Sequence, residues 1–152
     1  MAKKYMMRML FAAAAVFGLV LAQPARAADT PATLTGATVV DAGQVRTLMA
    51  AGATVIDARV ASEYAEGHIK GAESVVYHEK SAKSPDFNAT QDEFNVKKLP
   101  ANKAANVVFY CNGPECWKSY KASSAAIKAG YTGVHWYRAG FPDWKAKGLP
   151  VE

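Results

Sequence analysis

The sequence predicts an α/β sandwich, with a mainly parallel sheet and helices on both faces. Two observations carry this. Short apolar runs alternate along the chain with helix-forming stretches, the order that builds parallel sheets. The two firmest runs, "ATVIDA" at residues 53–58 and "NVVFYC" at residues 106–111, are apolar and rich in β-branched residues without alternation, as strands buried on both faces are.

The chain opens with a leader. Lys3, Lys4 and Arg8 precede an uncharged apolar run at residues 9–22, and Ala25-Arg26-Ala27 places small residues where a signal peptidase inspects them. This is the layout of a secretory signal peptide cleaved before Ala28. The run is short against the roughly 20 residues that span a bilayer, which argues against a retained anchor. Losing residues 1–27 takes the 18 basic residues to 14 against an unchanged 13 acidic ones, a balance of +1. The basic character of the full chain is therefore a targeting feature and gives no support to nucleic-acid binding. The remaining 125 of 152 residues fit one domain with one core. Export implies an oxidising compartment, of which the bacterial periplasm is the expected one, where disulfides persist.

Residues 28–36 are polar and without periodicity, and are expected to be a flexible tail. "DAGQVRTLMAAGA" then sets Asp41 three residues before Gln44, a capping box, and Gly52 ends the helix. The strand at residues 53–58 follows at once. "ASEYAEG" predicts a short helix, "AESVVYH" a second strand, and residues 79–106 a long polar excursion over the surface. "DEFNVKKL" predicts a weak helix before Pro100. The strand at residues 106–111 leads into "CWKSYKASSAAIKAG", a helix ending at Gly130. "GVHWYR" predicts another strand, and "FPDWKAKG" a last short helix with proline near its start.

Both cysteines fall in "FYCNGPECWKS". Cys111 ends a strand and Cys116 lies where the next helix begins. Ligands collect beyond the C-terminal ends of strands in such sheets. Backbone N–H groups of a loop at a helix N-terminus stabilise an anion, so this layout lowers a thiol's pKa without a neighbouring base. Lys118 and Lys121 add positive charge. A zinc site wants four ligands, and His68, His78 and His135 sit on separate elements, so no metal and no cofactor are expected. On the residues alone, a structural disulfide, a buried inert pair and a nucleophile with a thiol neighbour stay open.

Three stretches in order resemble the rhodanese (sulfurtransferase) family, from about Asp41 to Val151. "VIDARVASEYAEGHIKGAESV" at residues 55–75 is similar to its first signature. "VVFYC" at residues 107–111 is similar to the strand that delivers its catalytic cysteine. "GYTGVHWYRAGFPDWKAKGLPV" at residues 130–151 is similar to its C-terminal signature. The resemblance implies one rhodanese domain, residues 37–152, built on a five-stranded sheet. It implies a Cys111 persulfide that takes sulfane sulfur from a thiosulfate or polysulfide type of donor and passes it to a thiol or cyanide. A redox or sulfur-acceptor protein of the periplasm would be the macromolecular partner. The loop Asn112, Gly113, Pro114, Glu115, Cys116 and Trp117 would cradle the persulfide, with Lys118 and Arg138 as electrostatic aids. Asp57, Arg59, Glu63 and His68 read as structural hydrogen-bond partners, and Trp136 and Trp144 as core or rim.

The chain departs from the family in two places. If Ser119 aligns with the serine that opens the family's helix, the loop is two residues longer than the usual six; an alignment that ends the loop at Cys116 keeps six. Neither places an arginine in the loop, which argues against the phosphatase chemistry of Cdc25-type relatives. Cys116 is the second departure. It is a candidate resolving thiol able to attack a Cys111 persulfide. A sulfur carrier or binding module without turnover, and a thiol–disulfide redox protein, are the alternatives to an enzyme.

Overall fold

The computed structural model describes residues 28–152; the leader expected at residues 1–27 lies outside them. Five strands form one sheet: β1 (Thr38–Val39), β2 (Thr54–Asp57), β3 (Glu73–Ser74), β4 (Asn106–Tyr110) and β5 (Gly133–Tyr137). Their order is β1-β5-β4-β2-β3, and every neighbouring pair is parallel. The helices are α1 (Ala42–Ala50), α2 (Ala61–Glu66), α3 (Trp117–Lys128) and α4 (Gly140–Ala146). The α/β sandwich read from the sequence is the fold observed.

Side chains alternate across a strand, so the central β4 divides its residues between two cores. Val108 and Tyr110 pack with Val45 of α1 and Phe141 and Trp144 of α4. Val107 and Phe109 pack on the other face with Ala122 and Ala126 of α3. Central position and two covered faces explain why residues 107–110 are all fully buried. The α1 capping box forms as the sequence indicates: the Gln44 amide donates to Asp41 Oδ1 and the Asp41 amide to Gln44 Oε1.

The structure departs from the sequence reading at five points. The strand β1 is not among the expected ones; its residues Thr38 and Val39 are exposed, and its backbone pairs with β5. The strand expected across "AESVVYH" shortens to Glu73–Ser74, and the helix expected in "DEFNVKKL" is a single 3-10 turn, Val96–Lys98, capped by Asn95.

The excursion is fastened down. Lys121 of α3 is fully buried, and its Nζ meets Glu79 Oε2 at 2.9 Å, Ser81 Oγ at 2.8 Å and Asp92 Oδ2 at 3.6 Å. Its charge is thus neutralised within this cluster, contrary to the expected role beside Cys111. Burial alone would raise the Asp92 pKa. Hydrogen bonds from the Ser81 hydroxyl, the Lys80 and Ser81 amides and the Tyr77 hydroxyl outweigh it and hold the carboxyl well below the usual range.

The fifth difference is the N-terminal segment. Residues 28–31, expected to be loose, dock on the loop after β4. The Thr30 amide and hydroxyl both donate to the Pro114 carbonyl at 2.8 Å, and Trp117 Nε1 donates to the Ala28 carbonyl at 2.9 Å.

Candidate active site

Cys111 directly follows β4, at the C-terminal end of the central strand, and is 1% exposed. The chain turns through residues 112–116 into α3, whose N-cap is Cys116 and whose first turn holds no acidic residue. No carboxylate within that first turn offsets the positive end of the helix dipole beside the cysteine. Cys111 and Cys116 are joined as a disulfide, with Cα atoms 6.3 Å apart. A disulfide sulfur has no proton, so the hydrogen bonds at Cys111 Sγ come from Ser119: its hydroxyl at 3.0 Å and its amide at 3.4 Å. Trp136 Nε1, from β5, donates to the same Ser119 Oγ at 3.0 Å. The Trp136 indole fills one acceptor site on the hydroxyl, and because the disulfide sulfur carries no proton the Ser119 hydroxyl is the donor in its contact with Cys111 Sγ.

Each loop residue has a definite place. The Asn112 amide donates to the Glu63 carboxylate and ties the loop to α2. The Gly113 carbonyl accepts from the Cys116 amide at 3.0 Å, closing a turn. Pro114 is held by Thr30, and Trp117 is buried against Tyr120. Glu115 is exposed and Lys118 half-buried. In this oxidised form the Cys116 amide is thus turned into the loop, and the amide at the sulfur belongs to Ser119, beyond the residues 112–117 expected to form the cradle.

Arg138 directly follows β5, and its guanidinium hydrogen bonds go to the N-terminal segment. Its Nε donates to Thr30 Oγ1 and the Pro31 carbonyl, both at 3.1 Å, and its Nη2 to the Thr30 carbonyl at 2.7 Å. Its guanidinium clamps the N-terminal segment, which in turn clamps Pro114. The expected electrostatic aid is a fastener.

Asp57 and Arg59 form a buried pair, Nη2 to Oδ2 at 2.6 Å, and the Tyr110 hydroxyl donates to the same carboxylate oxygen at 2.6 Å. Burial, then the Asp57 charge and hydrogen bond, push the Tyr110 pKa far up. Arg59 also donates to the Gly67 carbonyl at 2.7 Å and lies 4.3 Å over the Phe141 ring. This network locks the ends of β2 and β4 together, so it fixes where Cys111 emerges. His68 stacks on Tyr64 and its Nδ1 meets the Tyr64 carbonyl at 2.9 Å, which puts the proton on Nδ1. Its Nε2 faces Glu152 at 3.5 Å.

Gly140 closes the site from the α4 side. The Phe141 amide donates to the Cys111 carbonyl at 2.8 Å. Gly140 has φ +69°, and a Cβ there would fall on the Cys111 carbonyl oxygen and within 2.7 Å of the Gly113 nitrogen. Only glycine allows this approach. A cleft of about 490 Å³ opens beside Asn112, between α2 and α4, lined by Arg59, Glu63, Glu66 and Lys145 among others. Among the described residues no cluster of His, Cys, Asp or Glu could hold a metal ion, and no helix is long and apolar enough to cross a membrane.

A family model, the rhodanese-like domain, matches residues 41–147. The chain belongs to the rhodanese family. Its rhodanese domain is 30% identical over 110 residues to the chloroplastic thiosulfate sulfurtransferase 16 of Arabidopsis thaliana, covering 69% of this chain and 84% of that one. Among solved structures, a human single-domain sulfurtransferase is 25% identical, with a TM-score of 0.52 over 74% of this chain and 98% of that chain. A Bacillus halodurans protein shares the fold at 24% identity and a TM-score of 0.56, over 76% of this chain and 77% of its own. Within this rhodanese domain the sequence singles out Cys111 but assigns no contact role to Ser119 or Trp136, nor to Thr30 ahead of the domain. Ser119 carried a weak signal, as the residue matching the family's helix-opening serine. Thr30 carried none.

Proposed function

We propose that the protein is an exported sulfurtransferase that carries sulfane sulfur on Cys111. The observation that carries this reading is the surround of Cys111 Sγ: the Ser119 hydroxyl and amide on one side, backed by Trp136, at the open positive end of α3. Such donors stabilise a thiolate, and the thiolate is the nucleophile. In the reduced protein it attacks the outer sulfur of thiosulfate. The sulfur–sulfur bond of the donor breaks, sulfite leaves with the electron pair, and Cys111 becomes a persulfide. A thiol or cyanide then attacks the outer sulfur, and Cys111 departs as the thiolate that Ser119 stabilises. The names of the Arabidopsis and human relatives support sulfur transfer, and the leader pattern of residues 1–27 supports export to the periplasm.

The test is direct. The reduced protein is incubated with thiosulfate or polysulfide, the added sulfur is mapped by mass spectrometry, and thiocyanate formation from cyanide is followed. A persulfide on Cys111 with turnover that Cys111→Ser abolishes is the expected result. Sulfur loading without turnover would make the protein a carrier. The disulfide favours a second reading, thiol–disulfide exchange, which no sulfur loading together with rapid reversible oxidation would establish instead.

A further inference from the structure

We propose that Cys116 completes a second half-reaction, in which the Cys111 persulfide is discharged as hydrogen sulfide without any external acceptor. The inference rests on the sulfur-transfer reading above. Its basis is that the two sulfurs reach each other within the folded loop and bond, with Cα atoms 6.3 Å apart, in the usual range for a disulfide. Both flanks of Cys116 are fastened: Pro114 by Thr30, and Trp117 by the Ala28 carbonyl. Cys116 is thus held where it can meet the inner sulfur of a persulfide on Cys111.

The step balances as follows. The Cys116 thiolate attacks Cys111 Sγ. The bond between Cys111 Sγ and the outer sulfur breaks, and the outer sulfur leaves with the electron pair as hydrosulfide. The sulfane sulfur is reduced by two electrons and the two cysteines are oxidised to the disulfide. A dithiol reductant of the same compartment then returns both cysteines to thiols and is itself oxidised to a disulfide. Over one cycle, thiosulfate and a dithiol yield sulfite, sulfide and a disulfide.

Burial fixes the direction of the return step. Cys111 is 1% exposed, whereas Cys116 is half-buried at the loop surface. An incoming thiolate reaches Cys116 Sγ and forms the mixed disulfide there. Cys111 is then the leaving group, and the sulfur whose anion is stabilised by Ser119 leaves more easily. The loop so recovers the nucleophile in its stabilised form.

The experiment is a single turnover. The reduced full chain is loaded with thiosulfate, freed of donor, and kept without added thiol while sulfide and protein mass are followed. Wild type should release about one equivalent of sulfide and end as the Cys111–Cys116 disulfide, by the thiol–disulfide exchange stoichiometry. Cys116→Ser should keep its persulfide until a thiol is added. Glutathione added to the oxidised wild type should give a mixed disulfide mapped to Cys116. A wild-type persulfide that persists, or equal sulfide release from Cys116→Ser, overturns the proposal while leaving sulfur transfer intact. A mixed disulfide mapped to Cys111 overturns the assigned direction. Failure of wild type to take up sulfur overturns this and the sulfur-transfer reading together. The wild-type measurements decide the matter even if the variant folds poorly.

Discussion

Ser119 Oγ stands 3.0 Å from Cys111 Sγ, in the first turn of the helix that the cysteine loop feeds. Trp136 donates to the same oxygen, and since the disulfide sulfur has no proton the serine hydroxyl is the donor to it. A hydrogen bond to a charged group contributes about 1.5–3 kcal/mol, against about half that for a neutral one. Ser119→Ala is predicted to slow alkylation of Cys111 at neutral pH by about ten- to a hundredfold, the rate equivalent of that loss. Measured in a Cys116→Ser background, the pH midpoint of alkylation should move up. An unchanged profile would remove Ser119 from the mechanism.

Arg138 is predicted to matter through Thr30 and not through substrate. Arg138→Ala removes three hydrogen bonds, from Nε and Nη2, to the N-terminal segment. Amide exchange at Thr30 should rise strongly, and proteases should trim the segment faster than in wild type. If Thr30 keeps its protection in the variant, the clamp is not what holds the segment.

Gly140→Ala should destabilise the protein by about 2–4 kcal/mol, through a left-handed backbone strain and a steric clash that the packed site cannot absorb. The clash falls on the Cys111 carbonyl and the Gly113 nitrogen. Denaturant unfolding of wild type and variant measures it. A variant of equal stability would mean that α4 can retreat from the loop without cost.

The Asp92 cluster sets a pH dependence. Its carboxyl is held below the usual range in the folded chain, so its contribution to stability is full above the unfolded pKa near ~3.9 and is lost as pH falls through the folded value. Asp92→Asn should therefore be clearly less stable than wild type at pH 7, with the gap narrowing below about pH 4. Unfolding in urea at the two pH values checks this. A gap independent of pH would place the effect in packing and not in charge.

The central strand β4 and the position of Cys111 at its end could be read from the sequence because a buried parallel strand leaves a continuous apolar run, "NVVFYC", and the cysteine terminates it. The Asp41–Gln44 cap was legible for a similar reason, since both partners lie three residues apart. Lys121 was not. A lysine on a helix between Tyr120 and Ala122 reads as a solvated position, and only the folding back of Glu79 and Asp92 makes it a buried cation. Thr30 and Ala28 were not legible either. They hold the loop largely through backbone carbonyls and amides, which are the same in every residue. Arg138 was placed at the right strand end, but its partners, 107 and 108 residues earlier in the chain, decide its role.

That separation bears on when the protein becomes reactive. Contacts between distant parts of a chain close late, because the intervening segment must be ordered first. Thr30 is synthesised 108 residues before Arg138, so the clamp over the cysteine loop can be set only after β5 has joined the sheet. We expect the Thr30 amide to gain protection after those of β4 in pulse-labelled refolding; protection in the reverse order would refute this. A half-made chain would then have its thiols but not their setting, and chemistry would arrive with completion of the fold.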